Sequence, residues 1–290
     1  MIIIAGSASP RISQNIADLL ACQIINPGHK TFPDGEFYLR MEVKMNGNHA
    51  LVVQSTCPPQ NDNLVELCLL LDAARDLGAK RITAVVPYLA YARQTKQYKP
   101  GEAVSLRTVS KMIANAGADE LITVDIHDEQ SIKNYSSIPV MNLTAMPLLG
   151  QHLKRFDLKN PIILGADKGS MDRAVTVAAE IGADHDYLEK VRVTPKKVIT
   201  VPRTLSVANR DVVIVDDVIS TGWTIIGAAK LLRRQGARRI YAACTHPILA
   251  GKARHRLRVV KIKRVISTDT IEKMGASVVS VAPLISEAVK

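Results

Sequence analysis

Two adjacent aspartates stand where an apolar strand gives way to a turn, in Val212-Val213-Ile214-Val215-Asp216-Asp217-Val218-Ile219-Ser220-Thr221-Gly222-Trp223-Thr224. Four consecutive β-branched residues without polar alternation predict a strand buried on both faces, as in a parallel sheet. The carboxylates close it, a Ser-Thr-Gly turn follows, and Thr224–Leu232 carries apolar residues at helical spacing. Ligands of open α/β sheets bind beyond the carboxyl ends of such strands. Backbone N–H groups in a tight turn at a helix N-terminus form a cradle for phosphate. Paired aspartates just before it can accept hydrogen bonds from sugar hydroxyls or hold a metal. A plain N-cap at Asp217 or Ser220 is the alternative, and it accounts for one acid but not for the pair.

The same rhythm runs through the chain in two halves. Ile2–Ala5, Ala50–Gln54, Arg81–Val86, Glu120–Asp125 and Val140–Leu143 are expected strands of the first, with helices at Ser13–Leu20, Asn63–Leu77 and Leu106–Asn115. The second has strands at Pro161–Leu164, Asp184–Glu189, Asp211–Val215, Arg239–Ala243 and Arg264–Ser267. Its helices fall at Ser170–Ile181, Thr224–Arg234 and Gly251–Arg256, and Gly78, Gly117 and Gly236 mark helix ends. Such alternation predicts an α/β protein of two similar domains, 1–143 and 144–279, with 280–290 a candidate to return to the first.

Composition removes several function classes. Aromatic residues are 4% of 290, too few for a reader of stacked single-stranded bases, and no apolar run is long enough to span a bilayer. The net charge of +11 includes a basic stretch at Arg254–Arg264, read as a solvated face that draws in anionic phosphates and not as a nucleic-acid site. Met1–Gly6 reads as a strand into a glycine turn, not a signal peptide, and Cys22, Cys57, Cys68 and Cys244 show no CxxC spacing, so a cytoplasmic protein is expected.

Further chemistry lies at other strand ends. Arg93 and Gln94, after the strand ending at Val86, can grip phosphate and a polar ligand, although a plain basic loop has the same composition. Gln97–Glu102 is polar and turn-rich and reads as mobile. Asp125 and His127 alternate off a strand end and can face one side, where imidazole binds a divalent metal or donates to phosphate. Asp128 and Glu129 read as surface acids, and His246 as structural.

Together these segments resemble the ribose-phosphate pyrophosphokinases, whose sugar-phosphate loop is shared with type I phosphoribosyltransferases. Gly6–Ser9, Lys30–Glu36, Gln54–Thr56 with Asn61–Leu67, Arg93-Gln94, Asp125-x-His127, Leu164–Gly169, Glu189–Arg192, Asp216–Thr224 and Thr245–Gly251 fall in the family's order. The resemblance implies two type I phosphoribosyltransferase-like domains, each a mainly parallel sheet flanked by helices, the first serving ATP and the second ribose 5-phosphate. It implies transfer of a diphosphoryl group from MgATP to ribose 5-phosphate, with Mg2+ as cofactor and a homo-oligomer that shares the adenine pocket between subunits.

Residue by residue, the resemblance gives Phe32 a stacking face for adenine and Asp34, Gly35 and Glu36 its edge. Arg93, Gln94 and His127 would meet the ATP phosphates, while His127, Asp125 and Asp167 would serve the metal. Lys190 and Arg192 would be the catalytic cations, Arg192 also meeting ribose 5-phosphate. Asp216 and Asp217 would take the ribose hydroxyls, and Ser220, Thr221, Gly222, Trp223 and Thr224 the 5-phosphate.

Three residues depart from the family pattern: Thr95 replaces an aspartate, Ser220 an acid and Trp223 a glycine. A positive φ at Trp223 would be costly. Ser220, short length and the lysine after Asp167 are similar to archaeal members, and Lys44–Gly47 lacks the basic residue of the longer forms' regulatory phosphate site. The alternatives are a phosphoribosyltransferase that consumes 5-phosphoribosyl 1-diphosphate and a non-catalytic regulatory paralogue.

Overall fold

The computed structural model describes residues 1–194, 197–202, 206–272 and 278–290, with backbone alone over 190–194 and 197–202. The chain divides into two units. The first comprises Met1–Leu143, Thr270–Glu272 and Ser280–Lys290, and the second comprises Thr144–Asp269 with Val278–Val279.

In the first unit the chain runs β1 (Ile2–Ala5), α1 (Pro10–Leu20), β2 (Gln23–Ile25), β3 (Gly28–Thr31), β4 (Phe37–Arg40) and β5 (His49–Val53). It continues through α2 (Gln60–Asp76), β6 (Arg81–Val86), α3 (Ser105–Asn115), β7 (Glu120–Val124), α4 (Glu129–Tyr135) and β8 (Val140–Leu143). The parallel sheet has the order β2-β1-β5-β6-β7-β8, and β3-β4 form a separate antiparallel pair. Its core joins the β1, β5 and β6 side chains to Leu64, Leu67, Leu70 and Leu71 of α2 and Leu106, Val109 and Ile113 of α3.

The second unit runs α5 (Met146–Leu153), β9 (Ile162–Gly165), a 3-10 turn at Lys168–Ser170, α6 (Met171–Ile181), β10 (Asp184–Thr194) and β11 (Lys197–Pro202). Then come β12 (Asp211–Val218), α7 (Trp223–Arg234), β13 (Arg239–His246), α8 (Ala253–Val259), β14 (Val265–Thr268) and β15 (Val278–Val279). The sheet order is β11-β10-β9-β12-β13-β14-β15, parallel except for β11. A last helix, α9 (Ala282–Ala288), belongs to the first unit.

The apolar run of β12 explains its central place. Val212 and Ile214 pack with α7 and α8, whereas Val213 and Val215 pack with α5 and α6. All four are fully buried, each contributing roughly 1.5–3 kcal/mol. A strand apolar on both faces needs helices on both sides, and it has them.

Several elements escaped the sequence pattern. The strands β3 and β4 lack a buried face, β2 and β15 are very short, and β11 exists by pairing with a β10 that runs to Thr194 instead of stopping at Glu189. Asp128 is not a simple surface acid: it N-caps α4, accepting from Ser131 N at 2.9 Å and Ser131 Oγ at 2.7 Å. Those hydrogen bonds outweigh the opposing effect of burial and hold its carboxyl below the usual range.

Candidate active site

In the second unit β12 runs through both aspartates to Val218, so Asp216 and Asp217 lie inside the strand and not just past it. Helix α7 begins at Trp223, one residue before expectation, and its N-cap is Gly222, not Asp217 or Ser220. The positive φ of the turn, 77°, falls on Gly222. Trp223 is therefore the first helical residue, and the strain expected of a tryptophan in place of glycine does not arise. Its indole is 61% exposed.

The turn keeps its donors free. Among the described residues no hydrogen bond uses the N–H of Ser220, Thr221 or Gly222. The N–H groups of Trp223 and Thr224 open the helix and have no intrahelical acceptor. Carbonyls are used instead: Ser220 O accepts from Ala250 N at 3.0 Å, and Ile219 O from Leu249 N at 2.9 Å. These bonds explain the Thr245–Gly251 block, which braces the turn from the loop after β13. His246, 4% exposed, belongs to that brace through its carbonyl, which accepts from Ile219 N at 3.1 Å.

Asp216 Oδ1 accepts from Ser170 Oγ at 3.0 Å and from Asp217 N at 3.0 Å. Ser170 Oγ also lies 3.3 Å from Asp167 Oδ1, so one hydroxyl joins the 3-10 turn to the strand end. Asp217 is 3% exposed, with Arg173 Nη2 at 3.8 Å. Burial first, and the neighbouring Asp217 carboxylate second, push the Asp216 carboxyl up to about 7. A carboxyl in that state gains from any hydroxyl or cation that favours its ionised form.

Three residues of this site were not singled out in the sequence: Ser170, Arg173 and Arg256. Arg256 Nη2 donates to Thr221 O at 3.2 Å while its guanidinium lies 4.7 Å from the Trp223 ring centroid. Its Nε is buried without a hydrogen-bond partner. The basic run Arg254–Arg264 hid it, because no periodicity distinguishes one arginine there from the next. The side chains of Lys190 and Arg192 lie outside the described residues; their backbone sits in β10, opposite Thr200 and Val198.

In the first unit Phe32–Glu36 form the turn of the β3-β4 pair. Phe32 N donates to Glu36 O at 2.8 Å, Gly35 N to Phe32 O at 2.9 Å and Glu36 N to Asp34 Oδ1 at 3.2 Å, with φ 97° at Gly35. Phe32 is 38% exposed, with Lys30 Nζ 4.9 Å from its ring centroid, so it is not a core residue. Arg93 is exposed and Gln94 half-buried, Gln94 Nε2 donating to Lys96 O at 3.1 Å. The stretch read as mobile is tied: Glu102 Oε2 accepts from Tyr98 N at 2.8 Å and Lys99 N at 3.1 Å.

The strand-alternation argument for Asp125 and His127 fails, because β7 ends at Val124 and Asp125 has φ 40°. Asp125 is buried and His127 exposed. Among the described residues no group of three or more His, Cys, Asp or Glu is arranged to hold a metal, and no helix is long and apolar enough to cross a membrane. Cys244 is wholly buried, which drives its thiol far up and leaves it inert.

A mainly parallel sheet whose central strand ends in paired acids and an open N–H turn defines a sugar-phosphate-binding α/β protein of the phosphoribosyltransferase kind. Residues 1–117 match the N-terminal domain of ribose phosphate pyrophosphokinase and residues 131–284 the phosphoribosyl transferase domain. The chain is 41% identical over 288 residues to the ribose-phosphate pyrophosphokinase of Methanothermobacter thermautotrophicus, covering 99% of each. The corresponding protein of Saccharolobus solfataricus is 37% identical over 283 residues, 97% of each. The crystal structure of phosphoribosylpyrophosphate synthetase from Mycobacterium smegmatis superposes with a TM-score of 0.89 at 31% identity, over 99% of this chain and 97% of that one. The chain belongs to the ribose-phosphate pyrophosphokinase family, the enzyme class that its motifs implied.

Proposed function

We propose that this chain transfers the β,γ-diphosphoryl group of ATP to the anomeric hydroxyl of ribose 5-phosphate, giving 5-phosphoribosyl 1-diphosphate and AMP for nucleotide biosynthesis. The observation that carries the reading is the Asp216–Asp217 pair, Asp217 buried and Asp216 half-buried, followed at once by a turn with unused N–H groups. A sugar phosphate presents the complement, vicinal hydroxyls that donate and a dianion that accepts.

The 5-phosphate would sit on the N–H groups of Ser220, Thr221, Gly222, Trp223 and Thr224, with the three side-chain hydroxyls around it. The ribose 2- and 3-hydroxyls would donate to Asp216 and Asp217. That donation favours the ionised Asp216, so ribose 5-phosphate binding should release a proton near pH 7. Residues 144–279 would thus hold the sugar phosphate, and 1–143, with 280–290, the nucleotide. There Phe32 would stack on adenine, Asp34, Gly35 and Glu36 would read its edge, and Arg93, Gln94 and His127 would meet the phosphates.

The anomeric oxygen attacks the β-phosphorus and loses its proton to water, the bond from that phosphorus to the oxygen bridging it to the α-phosphorus breaks, and AMP departs with that oxygen. Such a step needs positioning and charge neutralisation more than a protein nucleophile. Lys190 and Arg192 would stabilise the developing charge, Arg192 also contacting the sugar phosphate. Asp167, joined to Asp216 through Ser170 Oγ, suits a hard cation that keeps most of its water, and Asp125 and His127 are the candidates beside the nucleotide. Mg2+, when bound, would draw charge from the phosphates.

The whole Phe32–Glu36 tip is exposed, which suits an adenine pocket completed by a second copy in a homo-oligomer. No nucleic-acid or membrane partner is proposed, and four free cysteines suit the reducing cytoplasm. Incubation with ATP, Mg2+ and ribose 5-phosphate tests the reading. AMP and 5-phosphoribosyl 1-diphosphate should appear in step with no added base; if neither forms, the reading fails. Sedimentation of the active enzyme as a strict monomer would contradict the shared pocket.

A further inference from the structure

At the opposite end of the second unit's sheet, where β13 and β14 begin, a cavity of about 420 Å³ is lined by Arg155, Phe156, Arg239, Tyr241, Lys263 and Arg264, with His152 and Asp157 also on its wall. Its construction differs from a solvated basic face. Phe156 and Tyr241 pack edge to face with centroids 6.0 Å apart, and each ring carries a guanidinium, Arg264 at 5.4 Å over Phe156 and Arg239 at 5.9 Å over Tyr241. A guanidinium placed against a ring can satisfy its face there and still offer edge N–H donors, which suit phosphoryl oxygens bidentately; Arg264, unlike Arg239, has no acidic partner among the described residues.

The charges do not cancel. Arg239 is committed to the fully buried Asp211, its Nη2 2.6 Å from Asp211 Oδ2. Among the described residues Arg155, Lys263 and Arg264 form no ion pair. Asp157 is the single acid on the wall. Burial first, then Arg155 and Arg264, keep the His152 imidazole below its usual range, so it adds no cation to the wall near neutral pH. Asp211 and Asp216 stand five residues apart on β12, about 17 Å along an extended strand. The cavity is therefore separate from the turn at Ser220–Thr224.

We propose that this cavity is a second binding site for a small phosphorylated anion, gripped by Arg155, Lys263 and Arg264. Its volume exceeds that of a bare phosphate and suits a diphosphate or a nucleoside monophosphate.

Phenylglyoxal labelling of the full-length protein, read by peptide mass spectrometry at Arg155 and Arg264, tests the site directly. Arg11, exposed in the first unit, serves as the control. Inorganic pyrophosphate or AMP, at ionic strength matched with chloride, should slow labelling of both cavity arginines about fivefold or more and leave Arg11 unchanged. In Lys263→Glu, protection should need about tenfold more pyrophosphate while turnover stays unchanged. Unchanged labelling of the wild-type cavity arginines, or equal protection of Arg11, overturns the proposal. Protection by single-stranded RNA but by neither small anion also overturns it, in favour of a nucleic-acid surface.

Discussion

The two units repeat one sheet and use it in opposite ways. In topological order, β2-β1-β5-β6-β7-β8 and β10-β9-β12-β13-β14-β15 are the same arrangement, and the third strand of each feeds a turn and a helix. After β12 the turn leaves the N–H groups of Ser220, Thr221 and Gly222 open. After β5 the corresponding turn is filled by the protein itself. Gln54 N donates to Val85 O at 3.0 Å, Ser55 N to Ser9 Oγ at 2.8 Å and Thr56 N to Tyr88 O at 2.9 Å, and all three residues are fully buried. Gln54 Nε2 reaches Glu66 Oε2 at 2.8 Å, and Gly6 leaves it room, since a Cβ there would lie 2.3 Å from Gln54 Oε1. The same strand end is a packed polar core in one unit and a candidate phosphate cradle in the other. Topology supplies the place, and side chains decide whether it stays open.

The segment after the second strand differs in the same way. The first unit inserts a detached β3-β4 pair carrying Phe32–Glu36; the second extends β10 and folds β11 back on it, carrying Lys190 and Arg192. If the β10-β11 arm does the chemistry, Lys190→Ala should lower kcat by about 10²–10³-fold while ATP binding, measured by calorimetry, is retained. Unchanged turnover would sink that role.

The comparison of turns is tested by a crossed pair. Asp217→Ala should lower kcat/KM for ribose 5-phosphate about 10–100-fold without loss of melting temperature, since it removes one of two crowded carboxylates. Gln54→Ala should instead cost about 1–3 kcal/mol of stability, by leaving buried Glu66 short of a donor, and shift KM for ribose 5-phosphate less than about twofold. The reverse pattern would break the contrast between open and filled turns.

Titration sharpens it further. The Asp216 carboxyl rises on folding from 3.8 to about 7, so the folded state holds its proton more tightly than the unfolded one. The associated stability is fully present below about pH 4 and is lost as pH rises through about 7. In metal-free, substrate-free protein, the melting temperature of the wild type should therefore fall relative to Asp216→Asn by several degrees between pH 5 and pH 8. A difference that is flat, or of opposite sign, would show that the pair is not coupled as described.

The smallest effect is expected at Trp223. Because Gly222 carries the positive φ and the turn uses backbone at this position, Trp223→Ala should change KM for ribose 5-phosphate by no more than about threefold. As the sole tryptophan, Trp223 should also report ribose 5-phosphate by a change in fluorescence that Arg256→Ala alters. A catalytically dead Trp223→Ala would show instead that the side chain, and not the backbone of the turn, decides how the sugar phosphate is held.

What could be read directly from the residues was the central strand, the parallel class and the acid pair with its hydroxyl turn. Each depends on local chemistry: a four-residue β-branched run has one use in such a sheet, and two acids beside it have few. Tertiary structure decided the rest, because it depended on partners distant in sequence. Gly222, and not Trp223, takes the left-handed position, and β12 extends through both aspartates along β13. Ser170 joins Asp167 to Asp216, and Arg256 steadies Thr221 from another helix. The neighbouring carboxylate of Asp217 was legible in the sequence, but the burial that does most to lift Asp216 toward neutrality comes from packing that no periodicity in the chain encodes.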